Sequence, residues 1–277
     1  MWLLSLFFTF VSLSYLSISI NFSGLYVISL AESNLASLTI FTFFALVFVI
    51  VIASLTNSFV YRGALPHLNS SAFAISIKSF YLWLLLGVAL VLMSITLTFF
   101  FGGGELSIEK SSLIKSLYFS FIMALFPGVA EEVCFRWFFY GILKRYSKKF
   151  IAATLVGVVF SLLHFNQVNS VRDMVILMIS GLSVNYLFCA IYERTGSIWP
   201  GVIFHVVWDV LSLNNIIHFS DGSPIDENNI FVITLHTQND LITGGGFGFE
   251  SSIFSVTIYL IAALAILYSF KKIRINK

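Results

Sequence analysis

The sequence predicts an all-α fold, a polytopic helical membrane bundle of about eight transmembrane helices at roughly 20 residues each. Three observations predict it. Of the 277 residues, 58% are hydrophobic and only 10% are charged, whereas soluble chains carry roughly 25% charged residues. Mean hydropathy is +0.96, and apolar runs of spanning length recur along the chain. Lys and Arg collect at the ends of those runs. An ordinary soluble domain is excluded. A net charge of +2 dispersed in this way gives no footprint for nucleic acid.

The elements follow in order. A first span covers about 2–20; the stretch lacks a basic leading region and a small-residue cleavage site, so a span is expected and not a removed signal. The second covers about 36–55 and the third about 80–101, ended by Gly102-Gly103-Gly104. The fourth, about 114–143, carries Glu131, Glu132 and Arg136. The fifth covers about 150–165, the sixth about 174–192, the seventh about 198–213 and the eighth about 253–270. Pro200 falls in the first turn of the seventh, where a helix tolerates it.

Basic residues test this map. With both termini cytoplasmic, the inner ends hold Arg62, Lys78, Lys144, Arg145, Lys148, Lys149, Arg194, Lys271, Lys272, Arg274 and Lys277. The outer side holds only Lys110, Lys115 and Arg172, and Arg136 is intramembrane. Eleven against three is the positive-inside asymmetry. The whole of 1–277 reads as a single integral membrane domain, with a motif-bearing core at about 114–213, and the expected location is a bacterial inner membrane. Cys134 and Cys189 both fall in apolar segments, so no disulfide framework is implied. The segment 214–252 holds Asp221, Asp226, Glu227, Asp240 and Glu250 without Lys or Arg, and reads as a solvated external loop. Within it Phe231–Leu235 has strand-like content, and Gly244–Gly248 reads as a flexible approach to the last span.

Charged groups inside apolar spans identify the candidate chemistry. A charged side chain at the centre of a bilayer costs roughly 2.5–3.5 kcal/mol on insertion scales, and is read as functional by default. Glu132 and Arg136 are four apart and stack on one helical face, so they are expected to pair. Glu131 points about 100° away and lacks a local partner, which makes it the candidate reactive carboxylate. Phe160 and His164 lie one turn apart in the fifth span, as do His205 and Asp209 in the seventh. Glu131 and His164 come out about 18 and 21 Å from the cytoplasmic ends of their helices, and His205 about 11 Å. Those depths are compatible with one shared site.

Glu-Glu-x-x-x-Arg, then Phe-x-x-x-His, then His-x-x-x-Asn/Asp, in that order over about 121–213, resembles the CPBP family of intramembrane proteases. That family includes type II CAAX prenyl endopeptidases and bacteriocin-processing or immunity proteins. The resemblance implies an eight-helix bundle with an intramembrane polar cavity and hydrolysis of a peptide bond within the membrane, in a membrane-associated or lipidated peptide substrate, with membrane lipids as the other partner and no nucleic acid. Glu131 and His164 would activate a water, and His205 with Asp209 would stabilise the oxyanion. Glu132, Arg136 and Phe160 would support the site. A carboxylate in a low-dielectric site is a stronger base toward water, and beside a histidine it can take and return a proton.

Asp209 stands where many members carry Asn. Either it is protonated, as an apolar site can enforce, or it orients His205 and keeps it charged; the second is the expectation. No cofactor is expected. The alternative is a zinc ion held by Glu131, His164 and His205, a donor set that catalytic zinc accepts. Other membrane-protease signatures, His-Glu-x-x-His, Gly-x-Ser-x-Gly and Gly-x-Gly-Asp, do not occur. The competing readings are a non-catalytic bacteriocin-immunity or scaffold protein, and a proton-coupled transporter using Glu and His as a relay.

Overall fold

The computed structural model describes residues 35–59, 62–63, 74–109, 112–212, 216–220 and 229–269. The expected first span, the basic residues Lys110 and 271–277, and the loop acids Asp221, Asp226 and Glu227 lie outside the described residues. Helix α1 is Leu35–Phe59 and α2 is Ile77–Phe101. Helix α3, Leu113–Glu131, runs without a break into a π-helical segment, Glu132–Tyr140, and then into α4, Gly141–Tyr146. Then come α5, Lys149–Leu163, α6, Val171–Thr195, and α7, Trp199–Ser212. A short helix α8, Asp240–Thr243, precedes the last, α9, Ile253–Ser269. Each helix expected from the second span onward is present, and the fold is the predicted helical membrane bundle.

Local chemistry sets the boundaries. Ser76, Ser112 and Ser170 cap α2, α3 and α6, each accepting a backbone N–H three residues on, as short hydroxyl side chains do at helix starts. Gly196 ends α6 at φ +69°, in the left-handed conformation that favours glycine. Among the described residues, five helical segments are long and apolar enough to cross a membrane: Thr42–Phe59, Ile77–Phe101, Leu113–Tyr146, Lys149–Gln167 and Val171–Thr195. Their outward faces are apolar, with Phe43, Phe44, Leu85 and Phe100 all exposed as lipid would require. Helix α7 is different. Its described part, 14 residues, reaches about 21 Å, and 213–215 beyond it lie outside the described residues.

The core has two parts. Val133, Phe135, Trp137 and Tyr140 of the π segment pack with Ala152 and Val156 of α5 and Cys189 of α6. Trp83 and Val91 of α2 pack with Leu187, Phe204, Trp208 and Tyr259 on α6, α7 and α9. In lipid, where burial of apolar surface gives little drive, helices associate through close packing at small residues. Two glycines show this between α3 and α7. A Cβ on Gly128 would lie 2.7 Å from Val206 Cγ2, and one on Gly201 would lie 2.5 Å from Glu132 Oε2. Any side chain at either position pushes the two helices apart.

The segment after α7 departs from the expected solvated loop. Ile217–Ser220 (β2) and Phe231–Leu235 (β3) join Gly104–Ile108 (β1) in a sheet of order β1-β3-β2. β1 pairs with β3 antiparallel, Gly104 opposite Leu235, and β2 with β3 parallel, Ile217 opposite Phe231. Val232, Ile233 and Phe249 are buried. The acidic composition suggested water, but the alternate apolar residues of β3 and the aromatic pair Phe247 and Phe249 give this segment a face that folds back onto the helices. The Gly244–Gly248 approach is a set of tight turns, with Gly244, Gly245 and Gly248 at positive φ.

Candidate active site

The Glu131–Glu132 pair sits where the α-helix gives way to i→i+5 hydrogen bonding, a rare geometry concentrated at functional sites. Both glutamates are almost fully buried, and Arg136 is completely buried. Glu132 Oε1 lies 3.1 Å from Arg136 Nη1, the expected pair. The guanidinium is further enclosed by the rings of Phe188 at 4.5 Å, Phe160 at 5.3 Å and Phe135 at 5.8 Å. This aromatic cage explains how a guanidinium whose nitrogens lack aligned hydrogen bonds remains in the interior.

His164 is not inside a helix. Helix α5 stops at Leu163, and His164 takes φ −97° and ψ −3°, the bridge region in which many active-site residues sit. Its Nδ1 is 2.8 Å from the Phe160 carbonyl oxygen. A carbonyl only accepts, so Nδ1 carries a hydrogen and Nε2 is the nitrogen turned toward the site. Nε2 is 3.9 Å from Glu131 Oε1. The Phe160 ring lies 4.5 Å from the imidazole and packs against it, as expected.

His205 approaches from α7. Its Nε2 is 3.7 Å from Glu131 Oε2 and 3.6 Å from Asp209 Oδ2, and its Nδ1 is 3.5 Å from Glu132 Oε1. All three expected spans therefore bring their polar groups to one place, in spite of the different depths counted from the helix ends. Glu132 is not confined to Arg136. Glu131 and Glu132 keep right-handed helical backbone angles, yet both reach His205, because the imidazole presents a nitrogen to each side.

Distances of 3.6–3.9 Å exceed a direct hydrogen bond and suit bridging by one water. Glu131 Oε2 and His205 Nδ1 are buried without a hydrogen-bond partner, the kind of unsatisfied group that native interiors rarely leave without a functional reason. Among the described residues, no group of three His, Cys, Asp or Glu side chains has the spacing of a metal-binding set.

Several neighbours were missed in the sequence. Phe188 of α6 covers both Arg136 and, at 5.2 Å, the His205 ring. Phe247 approaches His164 edge-on at 6.3 Å. Glu250 accepts a hydrogen bond from the Ser212 hydroxyl; burial pushes its carboxyl above the usual range, against the lowering influence of Ser212 and the two histidines. The available signal was its setting: Glu250 is flanked by Phe249 and precedes the apolar run of α9 directly.

Among the described residues, five apolar helical segments of spanning length, with a buried cluster of acids and histidines between helices, define an integral membrane protein. Residues 113–211 match the family model described as type II CAAX prenyl endopeptidase Rce1-like, and this core is similar to that family. All of Glu131, Glu132, Arg136, Phe160, His164, His205 and Asp209 fall within the matched stretch. No curated protein and no solved structure matches the chain.

Proposed function

We propose that this protein is an intramembrane endopeptidase that hydrolyses a peptide bond in a membrane-associated or lipidated peptide, with Glu131 and His164 as the water-activating pair. The observation that carries the reading is the placement of Glu131 between two histidines, Nε2 of His164 at 3.9 Å and Nε2 of His205 at 3.7 Å. A water between Glu131 and His164 gives up a proton to this pair as its oxygen attacks the carbonyl carbon. The developing oxyanion takes a hydrogen bond from His205, which Asp209 orients from one turn away. The proton then passes to the leaving nitrogen, the C–N bond breaks, and a carboxylate and an amine depart. Glu132 and Arg136 hold the helix and the Nδ1 side of His205. A family match to proteases supports the class of reaction. The polar donors sit in a low-dielectric interior, where preorganised groups stabilise developing charge most strongly.

The test compares membranes from cells making the wild-type protein or Glu131→Gln, by peptide mass spectrometry. Specific membrane-peptide products should vanish in the variant at equal protein level. Identical peptide profiles, with any associated phenotype intact, would favour a binding or immunity role without cleavage.

A further inference from the structure

We propose that Glu250 is a positioning residue of this site, holding segment 244–252 over the exposed side of His164 and fixing the His205–Asp209 face; the inference rests on the protease reading above. Glu250 is joined to the bundle at both ends of its residue. The Ser212 hydroxyl, three residues beyond Asp209 on α7, donates to its carboxylate, and the Ser180 hydroxyl on α6 donates to its backbone carbonyl at 3.1 Å. On one side of it Phe249 is buried, stacked on Trp208 at 6.3 Å and on Phe219 at 4.6 Å. Further back, the Gly246 N–H donates to Asp173 Oδ1 at 3.0 Å, and Phe247 meets the His164 ring.

The carboxylate faces the chemistry as well as its tether. Ser212, to which it is bonded, lies three residues beyond Asp209 and seven beyond His205, so the carboxylate sits against the same face of α7 as both, with the charges of His205, His164 and Asp209 and the Tyr259 phenol on α9 around it. A serine-to-backbone bond or an amide would dock this segment equally well. Placing a fourth acid beside Glu131, Glu132 and Asp209 instead incurs like-charge repulsion and desolvation, which an anchor alone does not need. Its carboxylate therefore acts on the His205–Asp209 face, by the charge it places one turn beyond Asp209 and by the angle at which α7 presents His205.

The test uses the full-length protein in isolated membranes and follows the Glu131-dependent peptide products over time across the acid-to-alkaline range. Glu250→Gln keeps the Ser212 bond and the shape but removes the charge. It should slow product formation by about tenfold, the scale on which groups that orient an active side chain act, and displace the pH profile with the unfolding midpoint unchanged. Ser212→Ala cuts the tether and keeps the charge, and should slow formation with a smaller displacement of the profile. Glu250→Asp should restore the profile more than the rate. Wild-type rate and profile in either Glu250→Gln or Ser212→Ala would overturn the inference while leaving the protease reading intact. If wild-type membranes yield no Glu131-dependent product at all, the protease reading fails, and this inference falls with it.

Discussion

Replacing Glu132 by leucine should leave Arg136 as a charge with no acid partner in a site that is almost fully closed to solvent. The pair is 3.1 Å apart, with side chains 0% and 1% exposed. Breaking a buried pair by removing one member costs about 3–5 kcal/mol, because the survivor is uncompensated. The three rings around Arg136 each attract a cation by about 0.5–2 kcal/mol, and they continue to do so in the variant. They do keep the guanidinium from being stranded without any favourable contact, so the lower end of the range, about 3 kcal/mol, is expected. For a chain of this size that corresponds to a fall in Tm of roughly 6–12 °C. Thermal unfolding in detergent, followed by near-ultraviolet circular dichroism, measures it. The double variant Glu132→Leu, Arg136→Met removes the orphan charge and should return to within about 1 kcal/mol of wild type. A single variant as stable as wild type, or a double variant no better than the single, would refute the reasoning and show that the aromatic cage alone holds Arg136.

Gly201→Ala puts a methyl 2.5 Å from Glu132 Oε2 and should destabilise the fold by about 1–3 kcal/mol, as overpacking does; unfolding in detergent reads the loss, and product formation should fall with it as Glu132 and His205 move apart. Asp209→Asn should displace the pH profile of product formation, since the neutral amide no longer balances His205 at 3.6 Å; a fully active variant with an unchanged profile would show that Asp209 does not orient that ring through its charge. Treatment of purified protein with a strong chelator, followed by metal analysis, should leave Glu131-dependent product formation intact. Loss of activity that returns only with added zinc would replace the metal-free mechanism with one in which Glu131, His164 and His205 are ligands.

The helical bundle was legible because apolar length is a local property: each helix from the second span onward appears within a few residues of its sequence boundary. The pairing of Glu132 with Arg136 was legible for the same reason, as four-residue spacing on one helix needs no tertiary knowledge. Convergence of His164 and His205 on Glu131 was read from motif order and from approximate depth, and the actual means were not visible. They depend on the early stop of α5 at Leu163 and on the close approach of α3 to α7 at Gly128 and Gly201. The acidic segment was misread because composition reports average polarity. Half of β3 and both Phe247 and Phe249 belong to faces that become buried only when the segment folds back, and no local pattern links residue 250 to residue 212. The π segment was equally hidden, since its widened turns arise within an apolar run that suits an ordinary α-helix.

The antiparallel ladder between β1 and β3 joins a strand made before the first glutamate to one made after the last histidine of the site. Closing so long a stretch of chain is entropically slow, and Glu250 is synthesised later still. A nascent chain thus inserts its acids and histidines into the bilayer well ahead of the parts that lock them in register. Alignment of Glu131, His164 and His205 is therefore completed only when the last-made segment has docked on the bundle.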